Sequence, residues 1–275
     1  MFVLTKAGSE GQMQAFDFTG KTVFVAGGTS GINLGIAEAF AGAGAKLVIV
    51  SRSQNHVAEA QRQLGRFGGE VVGFSADVRN VEAISAAFKA AHDSLGDIDI
   101  LVSGAAGNFP SPALGMSANG FKAVVDIDLL GTFNVLRTGH AYLRKPGAVV
   151  VSISAPQALL PIPLQSHVCA AKAGVDMLTR VLAIEWGSDG IRVNSVMPGP
   201  IEDTEGMKRL APTPDAMQTI VRGVPLGRMG TKQDVANLVQ FLASPWAAFI
   251  SGAVIPVDGG WSVNAASGLA SVLRS

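Results

Sequence analysis

Short runs of β-branched residues alternate with longer, alanine-rich amphipathic runs along almost the whole chain, and this alternation restricts the fold more than any other feature. Thr22–Ala26, Leu47–Val50, Val71–Phe74, Ile98–Val102, Ala148–Ile153 and Ile191–Val196 read as strands. Ile32–Ala43, Asn55–Arg66, Val81–Ser94, Ser117–Leu143 and Ser166–Trp186 carry helical periodicity between them. Strands joined through helices of this length form right-handed crossovers and therefore a parallel sheet. The strands are apolar at successive positions, as a sheet covered on both faces requires. The expected fold class is α/β, a doubly wound parallel sheet with helices on both faces.

The 275 residues carry no repeat or linker, so the chain reads as one domain over residues 17–265, with an arm at 1–16 and a tail at 266–275. After Val196 the pattern loosens, and the Pro- and Gly-bearing stretch Pro198–Pro214 reads as part of a mobile lid at about 200–222. Lys232–Leu242 then reads as a helix and Ala253–Val257 as a last strand. Formal net charge is zero, which gives no bias toward nucleic acid or an anionic membrane surface. No stretch is apolar enough to span a bilayer, and Met1–Gln14 lacks a secretory pattern, so a cytoplasmic protein is expected. The single cysteine, Cys169, and four scattered histidines offer no metal-ligand spacing.

The first strand runs into Gly27-Gly28-Thr29-Ser30-Gly31-Ile32-Asn33-Leu34-Gly35 and then a helix. Glycines let the backbone approach a pyrophosphate closely, and the helix N-terminus adds unpaired N–H groups and a positive dipole end. In this strand–turn–helix setting the motif predicts a dinucleotide site of Rossmann type, contacted by Gly27, Thr29, Ser30, Gly31, Ile32 and Asn33. No Asp or Glu lies between Glu38 and Glu59, where an acid would bind the ribose hydroxyls of NAD; Ser51-Arg52 ends the second strand instead. An arginine there suits a 2′-phosphate, which predicts NADP(H).

These residues resemble the short-chain dehydrogenase/reductase family from about Lys21 to Trp261. The glycine turn, Asp77-Val78, Ser103-Gly104-Ala105-Ala106, Pro198-Gly199-Pro200-Ile201 through Thr204, and Asp258-Gly259-Gly260 fall at the family's motifs. The resemblance adds Asp77, Val78, Ala105, Pro198, Gly199, Ile201, Thr204 and Lys172 to the cofactor site. The chain departs from the pattern at the active centre. Val168 stands where the family has its proton-donating tyrosine, four residues before Lys172, and Ala155 stands for the serine. Asp128 stands for an asparagine, and Asn33 for the third glycine of the loop. Asparagine tolerates left-handed backbone best among the non-glycine residues, which is the expected reason for Asn33.

One branch of the family, the 2,4-dienoyl-CoA reductases of peroxisomal type, is similar in these departures. The shared runs are Ala105-Ala106-Gly107-Asn108-Phe109, Asp126-Ile127-Asp128, Gly131-Thr132-Phe133-Asn134, Lys172-Ala173-Gly174-Val175-Asp176 and Thr204-Glu205-Gly206. The resemblance implies catalysis by Lys172 and Asp128 through a held water. It implies an acyl-thioester site at Arg52, Arg79, Asn108, Phe109, Ser117, Asn119 and Arg209, and a homotetramer. Without a phenol, ketone reduction loses its acid, whereas a conjugated dienoyl thioester can accept hydride at the far end of the diene. The alternatives are reduction of another carbonyl or alcohol with a displaced donor such as His167, and a silent NADP-binding sensor or subunit. Asp126 reads as structural, Cys169 as a small core residue, and His167 as a satisfied, partly buried histidine.

Overall fold

A computed structural model of the protein describes residues 16–266. The expected arm at 1–16 and tail at 266–275 lie almost wholly outside the described residues. Seven parallel strands, β1 (Thr22–Ala26), β2 (Lys46–Ser51), β3 (Val71–Ser75), β4 (Ile100–Ser103), β5 (Val149–Ile153), β6 (Arg192–Pro198) and β7 (Val254–Val257), form one sheet in the order β3-β2-β1-β4-β5-β6-β7. The order reverses between β1 and β4, and the crevice outside the carboxyl ends of these strands is where such sheets bind ligands.

Side chains of a strand alternate between faces, so both faces of β1 must be apolar if both are covered. Val23 and Val25 pack with Ile36 of helix α1 (Gly31–Gly42) and Val235 further along the chain. Phe24 and Ala26 face the opposite layer, where Phe24 stacks on Phe88 at 4.1 Å between ring centroids. That layer is built from α3 (Val81–Leu95), α5 (Gly131–Gly139) and α6 (Ser166–Glu185), while α2 (Gln54–Gly65) flanks β2 and β3. Between α3 and α5 lies α4 (Ala118–Val125).

Two elements differ from the sequence expectation. Ser117–Leu143 is not one helix: α4 passes into a π-helical turn, Asp126–Leu130, and then α5. The Gly131 N–H donates to Asp126 O, five residues back, and the Gly131 backbone is pressed so closely on Val78 that a Cβ would lie 2.5 Å from its Cγ2. The expected lid is folded into two short helices, α7 (Glu205–Leu210) and α8 (Pro214–Gly223), capped by the Thr204 and Thr213 hydroxyls. Met207 and Ala211 are buried beneath them. Helix α9 (Lys232–Ala243) follows with a full capping box between Thr231 and Asp234. Among the described residues no helix is long and apolar enough to cross a membrane.

Candidate active site

At the switch point the loop after β1 meets the loop after β4. A Cβ on Gly27 (φ +81°) would lie 2.9 Å from the Ala105 nitrogen, so only glycine fits. Gly31 (φ +56°) opens α1 with nothing within 4 Å of its missing Cβ. The Ser30 side chain makes no capping bond, which leaves first-turn N–H groups of α1 for a ligand. A bare helix N-terminus beneath a glycine cradle fits a dinucleotide pyrophosphate. Thr29 and Ile32 are half-buried beside it, and Ser30 is exposed.

Asn33 corrects the sequence reading. It lies within α1 with no left-handed φ, so tolerance of that backbone does not explain it. Its Nδ2 donates to Gly104 O at 2.7 Å, and a Cβ on Gly104 would sit 2.1 Å from its Oδ1. The amide has room because Gly104 has no side chain. Asn33 therefore fastens the phosphate loop to the end of β4.

Around the adenosine end, Ser51 ends β2 half-buried, Arg52 is exposed, and Val78 is buried. Arg79 grips Asp77 with two bonds, Nε to Oδ1 at 3.0 Å and Nη2 to Oδ2 at 2.6 Å, and so holds the Asp77 carboxyl below its usual range. Arg79 is thus tied to Asp77 and not pointed freely at a substrate. On the far side, Pro198 closes β6, and Gly199 packs so tightly on Asp258 that a Cβ would meet it at 2.5 Å. Ile201 is buried, and Thr204 spends its hydroxyl on capping α7.

The pair expected to carry the chemistry, Lys172 and Asp128, sits between α6 and the π turn. Lys172 and Asp128 are both buried, with Nζ 3.3 Å from Asp128 Oδ2. That is an ion-pair distance without hydrogen-bond alignment; the aligned Lys172 bond goes to Ile153 O at 3.0 Å. Asp128 Oδ1 accepts from the Gly107 N–H at 2.7 Å, so Oδ2 alone is left without an aligned donor. The π turn supplies this placement, as such turns often do at functional sites. Asp126, by contrast, is paired with Lys122 on the outer surface, in keeping with a structural role.

Val168 lies one helical turn before Lys172 and is buried, an apolar contact where a donor would otherwise be. His167 is not the satisfied, partly buried histidine expected. It is completely buried, and neither ring nitrogen has a hydrogen-bonding partner. Leaving one buried polar group unmet costs about 1–3 kcal/mol. Its ring meets that of Phe109 edge-on at 4.5 Å. Cys169 is half-buried, with its thiol toward Leu160 O, and is not a core residue.

The loop after β4 gathers several of the expected acyl-site residues. Phe109 is partly exposed, Asn108 has a buried and unpartnered Oδ1, and Arg209 of α7 donates to Asn108 O at 3.2 Å. Ser117 caps α4 through the Gly120 N–H, and Asn119 is exposed in its first turn. Arg52 sits across the cofactor site, at the end of β2. Asp176, one turn after Lys172, enters the sequence reading only as the last residue of the Lys172–Asp176 run and not as a site residue. It is buried, accepts from Ser195 Oγ at 2.9 Å, leaves Oδ2 unmet, and burial pushes its carboxyl up from the usual value. Its spacing from Lys172 was the available signal.

Known proteins are similar to this chain in sequence and fold. The family model described as enoyl-(acyl carrier protein) reductase matches residues 26–262. The chain is 47% identical over 242 residues to the peroxisomal 2,4-dienoyl-CoA reductase [(3E)-enoyl-CoA-producing] of Rattus norvegicus, covering 87% of this chain and 83% of that one. It is 39% identical to the probable 2,4-dienoyl-CoA reductase [(2E)-enoyl-CoA-producing] of Bacillus subtilis, covering 89% and 97%. Among solved structures, a short chain dehydrogenase from Bacillus anthracis superposes with a TM-score of 0.79 at 36% identity, over 88% of this chain and 96% of that one.

Proposed function

The chain belongs to the short-chain dehydrogenase/reductase family, and on that premise we propose that it reduces a conjugated 2,4-dienoyl thioester with NADPH. The carrying observation is the buried Lys172–Asp128 pair beside Val168 and Ala155. A cation and a carboxylate remain where the acid for ketone reduction is missing. Family membership brings a nicotinamide cofactor. The choice of NADPH is supported by Arg52 at the end of β2 and by the lack of any acid there.

Bound nicotinamide supplies the hydride; the protein must handle charge and proton. Hydride adds to C5, the C4=C5 and C2=C3 π bonds break as C3=C4 and C1=C2 form, and the carbonyl π electrons leave the negative charge on the thioester oxygen. A proton then goes to C2, giving a 3-enoyl thioester, or to C4, giving a 2-enoyl thioester. The rat and Bacillus subtilis relatives carry these two outcomes in their names. For this chain the proton source is a water held from one side by Lys172 Nζ and by Asp128 Oδ2, the one oxygen of that carboxylate left without an aligned donor. The water regains its proton from solvent. Lys172, as a buried cation, favours the anionic intermediate.

Asn108 and Phe109 would line the acyl chain. Arg209 would meet the carrier's phosphates beside Asn108; Arg79, held by Asp77, would have to leave that carboxyl to join it. Assembly as a homotetramer is supported by apolar side chains left exposed on α4 to α6 (Phe121, Leu130, Phe133, Met177 and Ile184) and by Trp246 and Phe249 near β7.

Purified protein mixed with NADPH and a 2,4-dienoyl-CoA tests this. The expected result is loss of NADPH absorbance, abolished in Lys172→Ala. Cofactor binding with no turnover of thioesters, ketones or alcohols would favour the silent NADP-binding reading instead.

A further inference from the structure

His167 is a polar side chain that the protein buries completely and leaves without a partner on either ring nitrogen. A leucine of similar volume would fill the same space without that cost, and native folds keep such unmet groups where chemistry uses them. The position is next to Val168 on α6, under the Phe109 ring. Phe109 is partly exposed, and its loop also carries Gly107, whose N–H meets Asp128, so one loop links His167 to the Lys172–Asp128 pair. The same loop is anchored at the start of α6: the Ser111 N–H donates to Leu164 O, and Leu164 holds a left-handed φ of +66°, strained for a branched side chain. The chain is thus held under strain where His167 meets the loop.

The reduction needs a donor in this pocket. Resting on the thioester reading above, charge collects on the thioester oxygen after hydride addition, and that oxygen needs a hydrogen-bond donor there. Asp128, when ionised, only accepts. Lys172 directs its aligned bond to Ile153 O. Val168 and Ala155 have no side-chain proton to give. The Ser154 hydroxyl, which also lacks an aligned partner, lies beside the Asp176 carboxyl. His167 has an N–H committed to nothing.

We propose that His167 donates a hydrogen bond to the thioester carbonyl oxygen of the bound substrate, a bond that strengthens as the oxygen becomes a dienolate. It polarises the acceptor; it does not supply the proton that ends on carbon.

The test compares wild type, His167→Leu and His167→Gln. With NADP⁺ in place no hydride is available, so a 2,4-dienoyl-CoA can be titrated and its spectrum read directly. Polarisation of the conjugated carbonyl is expected to move the dienoyl absorption to longer wavelength in wild type. The shift should be lost in His167→Leu and partly regained in His167→Gln. In turnover, His167→Leu should lose roughly 100-fold in kcat, the range seen on removal of one oxyanion donor. Its dissociation constant for NADPH should stay within twofold, and its melting temperature should not fall. An unshifted wild-type spectrum, or the same shift in wild type and His167→Leu, overturns the assignment. So does a kcat within threefold of wild type, or a fall in melting temperature together with lost cofactor binding, which marks a packing role. A shift that depends on His167 without any NADPH consumption would sink the reductase reading while sparing this one. Turnover untouched by His167→Leu would do the reverse.

Discussion

Buried aspartates at the two ends of the sheet are treated in opposite ways. Asp99, just before β4 at the amino end, accepts from the Thr22 N–H at 3.0 Å, from Lys21 Nζ at 3.1 Å and from Arg144 Nε at 2.7 Å. These partners outweigh its burial, and its carboxyl sits below the usual value. At the carboxyl end, Asp128 and Asp176 are at least as deeply buried, yet each keeps one oxygen unmet. Burial wins at Asp176 and pushes its carboxyl up. His167 and Asn108, at the same end, also hold unpartnered atoms. One end is built for stability. The other leaves polar groups open, at a cost in stability, at the end where sheets of this type bind ligands.

The contrast can be broken most strongly at Asp99. Asp99→Ala removes three partners of a buried carboxylate and should cost about 2–3 kcal/mol, since bonds to charged groups are among the strongest. Denaturant titration reads the loss. NADPH turnover well below the transition should be unchanged, and a large loss of kcat with stability intact would erase the division between the two ends.

A middle-sized effect is expected at the Asn33–Gly104 contact, which joins the cofactor loop to β4. Gly104→Ala places a methyl 2.1 Å from Asn33 Oδ1. Overpacking of this kind costs about 1–3 kcal/mol. It should also weaken NADPH binding, as measured by fluorescence titration. Asn33→Gly in the same chain should restore both, and additive losses in the double variant would contradict the contact.

The smallest effect sharpens the other side. A carboxyl whose native pKa is raised binds its proton more tightly folded than unfolded, so the native state loses stability as pH rises above the ordinary value of 3.8 through the raised one. Asp176→Asn should therefore melt higher than wild type at neutral pH. The difference should close as pH falls below the unfolded carboxylate range. An advantage that persists unchanged in acid would assign the effect to packing and not to charge.

Much of the scaffold was legible because its signals are local. The run Thr22–Ala26 is apolar on both faces and ends at a glycine, and the strand occupies those same residues. The glycine cradle was equally plain, since the residues that turn the chain also shape the site. The π turn at Asp126–Leu130 left no mark in the local pattern; it accompanies the close approach of Gly131 to Val78, a residue more than fifty positions away in sequence. Helices α7 and α8 were missed although Thr204, Thr213 and Pro214 are ordinary start signals; their few buried residues hid the periodicity. The isolation of His167 and the fit of Asn33 depend on Phe109 and Gly104, partners remote in sequence. No single-residue reading reaches such pairs.

The proton-delivery step is best probed by Asp128→Asn, which keeps an oxygen for the Gly107 N–H but removes the carboxylate that would orient water. Turnover of a 2,4-dienoyl-CoA with NADPH should be measured in light and heavy water for this variant and for wild type. The expected result is a fall in kcat of roughly 100-fold, within the range typical of a lost general acid–base group, together with a larger solvent isotope effect as protonation becomes limiting. A kcat within threefold of wild type, with the isotope effect unchanged, would contradict proton delivery through Asp128 and Lys172.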